Sequence, residues 1–309
     1  MADGASHKNI TVNQLKGRMD QGLEFLLIHT LPGDHYQKQH LPGAKHACVY
    51  EVTFPSQMED LVADRGQTIV LYGSSSASRD AATAAEKLIR LGYRDVYVLA
   101  GGLKAWREAG YRLEGEEPER PETWPAALRP AEGRYAVDLE TSFVGWTGRN
   151  ANTGHQGIVR LKAGEIAVQD GSIGGSFVID MQAIINFTLE DEGLRKILLD
   201  HLKSDDFFFV ERFPEATFTL VQARPIEDAA PGCANFEVEG KLSLTGVDGM
   251  ITFATVVERL ADGGLAAEAH FDLDRTRWGV IYGSGRFFEH LGMHLVYDPI
   301  SIQVRIVAH

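Results

Sequence analysis

Two cysteines in 309 residues are too few for a disulfide framework. Cys48 and Cys233 stand far apart without metal-ligand spacing, and they read as free small hydrophobes in a reducing compartment. Also missing is any uninterrupted apolar run near the ~18 residues that a membrane-spanning helix requires. Residues 1–10 are polar and hold no apolar stretch of the secretory-leader type. The expectation is a soluble, cytoplasmic protein with no membrane span. Basic charge is scarce: 30 Lys plus Arg face 43 Asp plus Glu, a formal net charge of −13. The deficit is uneven, net −1 through Glu116 and −12 beyond it. Such an acidic surface repels phosphate backbones and anionic headgroups, so nucleic-acid binding and electrostatic membrane docking are both excluded as expectations.

What is present exceeds one hydrophobic core, so two domains are expected. In the first part, near-continuous apolar runs at 23–29 and 68–72 and a short strand at 96–99 alternate with helical spacing over 81–91. That is the βαβ pattern of a parallel sheet covered on both faces. Between residues 117 and 131, Pro118, Pro121, Pro125 and Pro130 fall among charges, which predicts an extended connector. Trp124 and Leu128 are apolar for a free linker, so the connector is expected to pack on one domain or bridge both. Beyond it, short segments with one apolar face follow at close spacing: 135–147, 157–162, 166–168, 176–181, 217–223, 236–244, 251–257, 265–273 and 300–306. In the last, Ile300, Ile302, Val304 and Ile306 alternate with Ser301, Gln303 and Arg305, the period of a half-buried strand. A filled sandwich and a hollow barrel give the same alternation.

One helix interrupts these strands. Leu194, Ile197, Leu198 and Leu202 recur at helical spacing over 192–203, which predicts an apolar face laid on the β-structure. After it come Lys203-Ser204-Asp205-Asp206-Phe207-Phe208, then Phe213-Pro214 and Thr217-Phe218. Together with Ser142-Phe143-Val144-Gly145-Trp146, Gly240-Lys241-Leu242-Ser243-Leu244-Thr245-Gly246-Val247 and Asp274-Arg275-Thr276-Arg277-Trp278-Gly279, this run resembles the YceI-like, polyisoprenoid-binding family over residues 132–309. The resemblance implies an all-β antiparallel, lipocalin-like barrel with one short helix, holding an isoprenoid or fatty-chain amphiphile and often paired as a homodimer. Small barrels of about eight strands are wide enough for one ligand. Cavity candidates are Phe143, Trp146, Phe177, Ile179, Leu198, Phe218, Leu220, Phe253, Phe271 and Trp278. His155 and His201 are headgroup candidates, beside the plainer reading of histidines that steady loops.

In the first domain, His40-Leu41-Pro42-Gly43-Ala44, Leu91-Gly92-Tyr93 and Gly101-Gly102-Leu103-Lys104-Ala105-Trp106 resemble a rhodanese domain, covering residues 8–113. The resemblance implies an α/β parallel sheet with flanking helices over 1–116. It also puts a nucleophilic cysteine where this chain has Gly73, which can carry neither a persulfide nor a phosphoryl group. The expectation is therefore no catalytic residue, no cofactor, and a non-catalytic domain that serves anion binding or docks a protein partner. The loop Gly73, Ser74, Ser75, Ser76, Ala77, Ser78, Arg79 has the length of the cysteine-to-arginine cradle of rhodanese-related cell-cycle phosphatases. An anion nest of backbone N–H groups with Arg79 is one reading, and helix-capping serines with a solvated arginine are the other.

A metal centre is not expected. His290 and His294 are four apart, but Gly292 between them disfavours a helix, and no glutamate follows His290 in the manner of a metalloprotease. Asp274, Arg275 and Arg277 beside Trp278 read as a structural turn with cation–π packing rather than as catalytic groups. Three classes remain: a lipid-binding module, an interaction protein with a filled barrel, and a residual sulfurtransferase.

Overall fold

The computed structural model describes residues 7–120 and 130–309. Most of the connector, with Pro121, Trp124, Pro125 and Leu128, lies outside the described residues. Two units emerge, and each is taken by itself.

The first unit is a five-stranded parallel sheet in the order β1 (Lys8–Ile10), β5 (Val96–Leu99), β4 (Ile69–Tyr72), β2 (Leu26–His29) and β3 (Lys45–His46). Helices α1 (Val12–Asp20), α2 (Gly33–Lys38), α3 (Phe54–Leu61), α4 (Asp80–Arg90) and α5 (Gly102–Glu108) complete it. The central strand β4 is buried at every residue, as its continuous apolar run predicts. It separates two cores, one holding Phe54, Met58, Ile69, Leu71, Ala84 and Leu88. The other holds Leu15, Leu41, Val70, Tyr72, Leu103 and Trp106.

The second unit contains β6 (Gly133–Ala136), β7 (Phe143–Arg149), β8 (Gly154–Gln169), β9 (Ser172–Asn186), α6 (Glu192–Lys203), β10 (Glu215–Pro225), β11 (Phe236–Leu244), β12 (Val247–Arg259), β13 (Leu265–Asp274) and β14 (Pro299–Ala308). Its pairing runs β8-β7-β14-β13-β12-β11-β10-β9, and the antiparallel β8–β9 ladder joins the ends. The result is a closed barrel of eight antiparallel strands, with β6 added along β8. Closure removes the sheet edges that would otherwise invite aggregation.

The single strand expected over 135–147 is two strands. The Asp138 carboxylate accepts from the Glu140 amide at 2.8 Å and the Thr141 hydroxyl at 2.7 Å. The turn so fixed leads to the buried Ser142, whose hydroxyl accepts from the Val307 amide at 2.9 Å. Conversely, the segments expected at 157–162 and 166–168 form one long strand, β8.

Helix α6 occupies the expected residues but presents a different face. Asp191 caps it by accepting from the Leu194 amide at 2.8 Å. Leu198, Leu199 and Leu202 pack on the barrel, whereas Leu194 and Ile197 are 57% and 66% exposed. The assignment of Leu194 and Ile197 to the packed face is thus corrected. The usable apolar stripe on this helix is narrower than its leucine and isoleucine content, because a single-layered barrel rim offers only a ridge to cover.

Candidate functional site

The inward positions of the barrel strands are apolar at nearly every level. Val144 and Trp146 on β7, Phe177 and Ile179 on β9, and Phe218 and Leu220 on β10 line one cavity. So do Val238 and Leu242 on β11, Phe253 on β12, Phe271 on β13, and Ile300, Ile302, Val304 and Ile306 on β14. Its volume is about 350 Å³, within the range of roughly 300–1,000 Å³ typical of small-molecule sites. Four rings follow one another around the wall. Phe177 and Phe218 have centroids 6.2 Å apart, Phe218 and Phe253 5.9 Å, and Phe253 and Phe271 stack at 4.5 Å. The belt needs Gly240 on the intervening strand, because a Cβ there would sit 2.2 Å from the Phe218 ring.

Helix α6 and the turn after it cover one end. Phe208, Phe209 and Val210 donate their amides to the carbonyls of Leu202, Ser204 and Lys203 at 3.1, 2.8 and 2.9 Å. The chain therefore folds back on the last helical turn, and Phe207 and Phe208 reach the cavity beside Leu198 and Leu202.

Polar groups gather at this same end. Arg149 donates to the Ser301 hydroxyl at 2.8 Å, and the Asn150 side chain accepts from the amides of Asn152 and Thr153. His155 Nδ1 lies 3.1 Å from the Thr188 hydroxyl. Arg275 is 3% exposed and donates to the carbonyls of Val280, Val296 and Tyr297 at 2.6, 3.1 and 3.2 Å. Burial pulls its pKa below the usual guanidinium value, against the raising pull of Asp298 and Asp274. The Asp274–Trp278 segment is a capped 3₁₀ turn with the Arg277 guanidinium 4.8 Å from the Trp278 ring centre.

In the first unit, the loop between β4 and α4 has a different character. The Asp80 carboxylate is buried in its concavity. It accepts from the Ser74 amide at 3.2 Å, the Ser74 hydroxyl at 3.3 Å, the Ser78 hydroxyl at 2.9 Å and the Ala81 amide at 2.7 Å. A Cβ placed on Gly73 would lie 1.9 Å from Asp80 Oδ1. The loop is also tied to α5, since Leu103 and Lys104 donate their amides to the Gly73 and Ser74 carbonyls at 2.8 and 2.9 Å.

Residues 135–308 match the YceI-like domain family, and residues 11–109 match the Rhodanese-like domain family. The chain belongs to the YceI-like family. Its first part is 30% identical over 105 residues to a thiosulfate sulfurtransferase, GlpE, of Shewanella oneidensis, an alignment covering 34% of this chain and 97% of that protein. Among solved structures, BcnA of Burkholderia cenocepacia is similar at 21% identity and a TM-score of 0.44, over 56% of this chain and 99% of that one. A polyisoprenoid binding domain from Saccharophagus degradans, implicated in plant cell wall breakdown, is similar at 15% identity and a TM-score of 0.40, over 57% and 97%.

The YceI-like domain places the sequence candidates as follows. Trp146, Phe177, Ile179, Leu198, Phe218, Leu220, Phe253, Phe271 and His155 line the cavity. Phe143 does not, because its strand neighbours are Arg160 and Arg305 and it lies on the outward parity of β7. Trp278 is fully buried but outside the lining; its indole donates to the Leu242 carbonyl at 3.0 Å, and it packs in the apolar cluster that holds Leu199, Leu202 and Phe208 at the α6 end. His201 is directed away from the lining, with Nε2 3.1 Å from Asp206 Oδ2 and its ring edge-on to Phe207 and Tyr282.

In the rhodanese-like domain, the loop Gly73, Ser74, Ser75, Ser76, Ala77, Ser78 and Arg79, open to two readings as an anion nest or as helix-capping serines with a solvated arginine, holds the Asp80 carboxylate. Asp80 supplies the anion from within the chain, and the Arg79 side chain is 81% exposed, 3.3 Å from Glu86. Sequence reading missed Asp80, although a carboxylate directly after the loop was a visible signal. It also passed over Arg149, Asn150 and Thr153, whose position at the cavity end depends on the β7–β8 hairpin. Among the described residues, no group of three His, Cys, Asp or Glu side chains is placed to hold a metal ion, and no helix is long and apolar enough to cross a membrane.

Proposed function

We propose that the YceI-like barrel binds and carries an amphiphile with a long apolar chain, of isoprenoid or fatty-chain type. The apolar cavity of about 350 Å³ carries the reading. Ten buried methylenes contribute on the order of 8 kcal/mol before ordering costs, enough for tight binding with no catalytic group. The polar residues at the α6 end suit a headgroup near the rim, with His155 beside it. We place the protein in a reducing, cytoplasmic setting, which two unpaired cysteines, Cys48 buried and Cys233 exposed, support.

The rhodanese-like domain is proposed to be non-catalytic and to serve as a docking element for a protein partner. Gly73 offers no nucleophile, and the space a cysteine side chain would need is held by Asp80. Next to this loop, Tyr50 and Val52 are 64% and 97% exposed, the kind of apolar surface that a partner covers.

Organic extraction of the purified full-length protein followed by mass spectrometry tests the first proposal. A retained chain-bearing molecule at near-stoichiometric amount is the expected result. Its absence, together with failure to bind any added fatty-chain probe, would leave the interaction-protein reading. For the second proposal, thiosulfate with cyanide or a thiol acceptor is expected to give no turnover; turnover that disappears on changing Cys48 would overturn it.

A further inference from the structure

Among the described residues, the cavity wall carries one buried side-chain polar atom without a hydrogen-bond partner. The indole Nε1 of Trp146 is buried and has no hydrogen-bond partner among the described residues. Other polar side chains on the wall are engaged: Arg149 with Ser301, His155 with Thr188, Thr255 with the Glu268 carbonyl, and Arg275 with three carbonyls. Trp146 stands on β7 opposite Ile302, with Gly157 on its other side. It is three residues from Arg149, about 10 Å inside the polar rim at the rise of a β-strand.

A buried N–H without an acceptor is unfavourable, and that cost is recovered when a partner arrives. An ionised carboxylate or phosphate desolvated there would meet a single donor, far short of its hydration. Resting on the carriage reading above, we infer that the carried chain bears a neutral oxygen acceptor, carbonyl, ether or hydroxyl, that takes a hydrogen bond from Trp146 Nε1 deep in the barrel. The donor sets the depth and direction of insertion, which an apolar wall cannot do. A ligand of pure hydrocarbon leaves that donor unmet, and so does one whose only oxygens remain at the rim.

The test uses the full-length protein and two chains of equal length, tridecane and its methyl ketone, each competing with a fluorescent fatty-chain reporter. Trp146→Phe changes the wall for both probes and is expected to weaken ketone binding about fivefold more than tridecane binding, the effect of one hydrogen bond. As an independent readout in the unaltered protein, one of the four tryptophan indole N–H resonances should move downfield with the ketone and not with tridecane. Equal weakening of both probes by Trp146→Phe, or no indole resonance that separates them, overturns the inference while carriage stands. If the unaltered protein binds neither probe, the carriage reading falls and the inference falls with it.

Discussion

Each half of the chain contains a concavity, and the two are treated in opposite ways. Around the Gly73 loop the chain fills the hollow itself: one carboxylate, Asp80, takes two backbone amides and two serine hydroxyls. In the barrel, side chains from all eight strands line the hollow without filling it. The difference is chemical. A polar nest buried without an anion leaves several donors unmet, so a chain without the nucleophile gains by providing its own acceptor. An apolar cavity leaves few polar groups unmet; what it forgoes is dispersion contact, which a ligand restores.

The largest test of this contrast lies at the barrel wall. Phe218→Asp sets a charge among Phe177, Phe253 and Leu220, and binding of a fluorescent fatty-chain probe should fall by roughly 100-fold, about 2.7 kcal/mol. His155→Ala and His201→Ala should stay within about threefold, since rim polarity matters less than bulk inside. Equal losses in the three variants would move the site to the rim and break the contrast.

Next comes the filled loop. Gly73→Cys forces its Cβ against Asp80 and should cost about 3 kcal/mol of stability in chemical denaturation. Adding Asp80→Ala makes room and leaves the loop donors facing the new side chain, so the double variant should recover about 2 kcal/mol relative to additivity. The introduced thiol should also titrate high beside the Asp80 carboxylate and low once that carboxylate is gone. Additive losses and one common titration would show that Asp80 does not plug the loop.

A third test concerns how tightly the first unit excludes water and charge. His29 is fully buried at the end of β2, with Nε2 3.2 Å from His35 Nδ1 and Nδ1 without a hydrogen-bond partner among the described residues. Burial first, then the neighbouring His35, His46 and His40, pushes its pKa down to about 2. The unfolded chain takes up a proton here below about pH 6.5 that the folded domain refuses, so stability is complete above that pH and declines beneath it. The slope should approach 1.4 kcal/mol per pH unit. His29→Gln should remove that part of the acid dependence; an unchanged acid limb in denaturant titrations would contradict the burial.

The smallest effect sharpens the barrel lid. Leu194→Ser and Ile197→Ser on the outer face of α6 should each change stability by less than about 0.5 kcal/mol, whereas Leu202→Ala should cost about 2 kcal/mol. A large loss at Ile197 would mean that this face is covered by a second copy or another partner in solution, which size measurement of the variant would separate.

How much of this was legible beforehand varies with the range of the interaction. The limits of α6 and of the strands β5 and β11 follow from local periodicity and were read correctly. The division at 138–142 was not, because it depends on an Asp138 side chain caging a turn within a segment of strand-like composition. Phe218, Phe253 and Phe271, cavity candidates from the resemblance, do face inward, and strand parity is what the structure adds to that reading. The resemblance could not sort Phe143, one residue from an inward position at a strand start, or Trp278, which belongs to a 3₁₀ turn with no parity.

By itself the amino-acid sequence determined the chemistry each half can offer: no thiol at position 73, an acidic surface, and alternating apolar faces on many short strands. Those are properties of single residues and nearest neighbours, set by composition and by the periods of strand and helix. Tertiary structure alone decided which hollow is occupied and which is only lined. Asp80 enters its loop because the helix start turns it inward. The cavity exists because eight strands close at a radius their side chains do not span. Trp146 loses its hydrogen-bond partner only because closure carries that indole from water into an apolar wall.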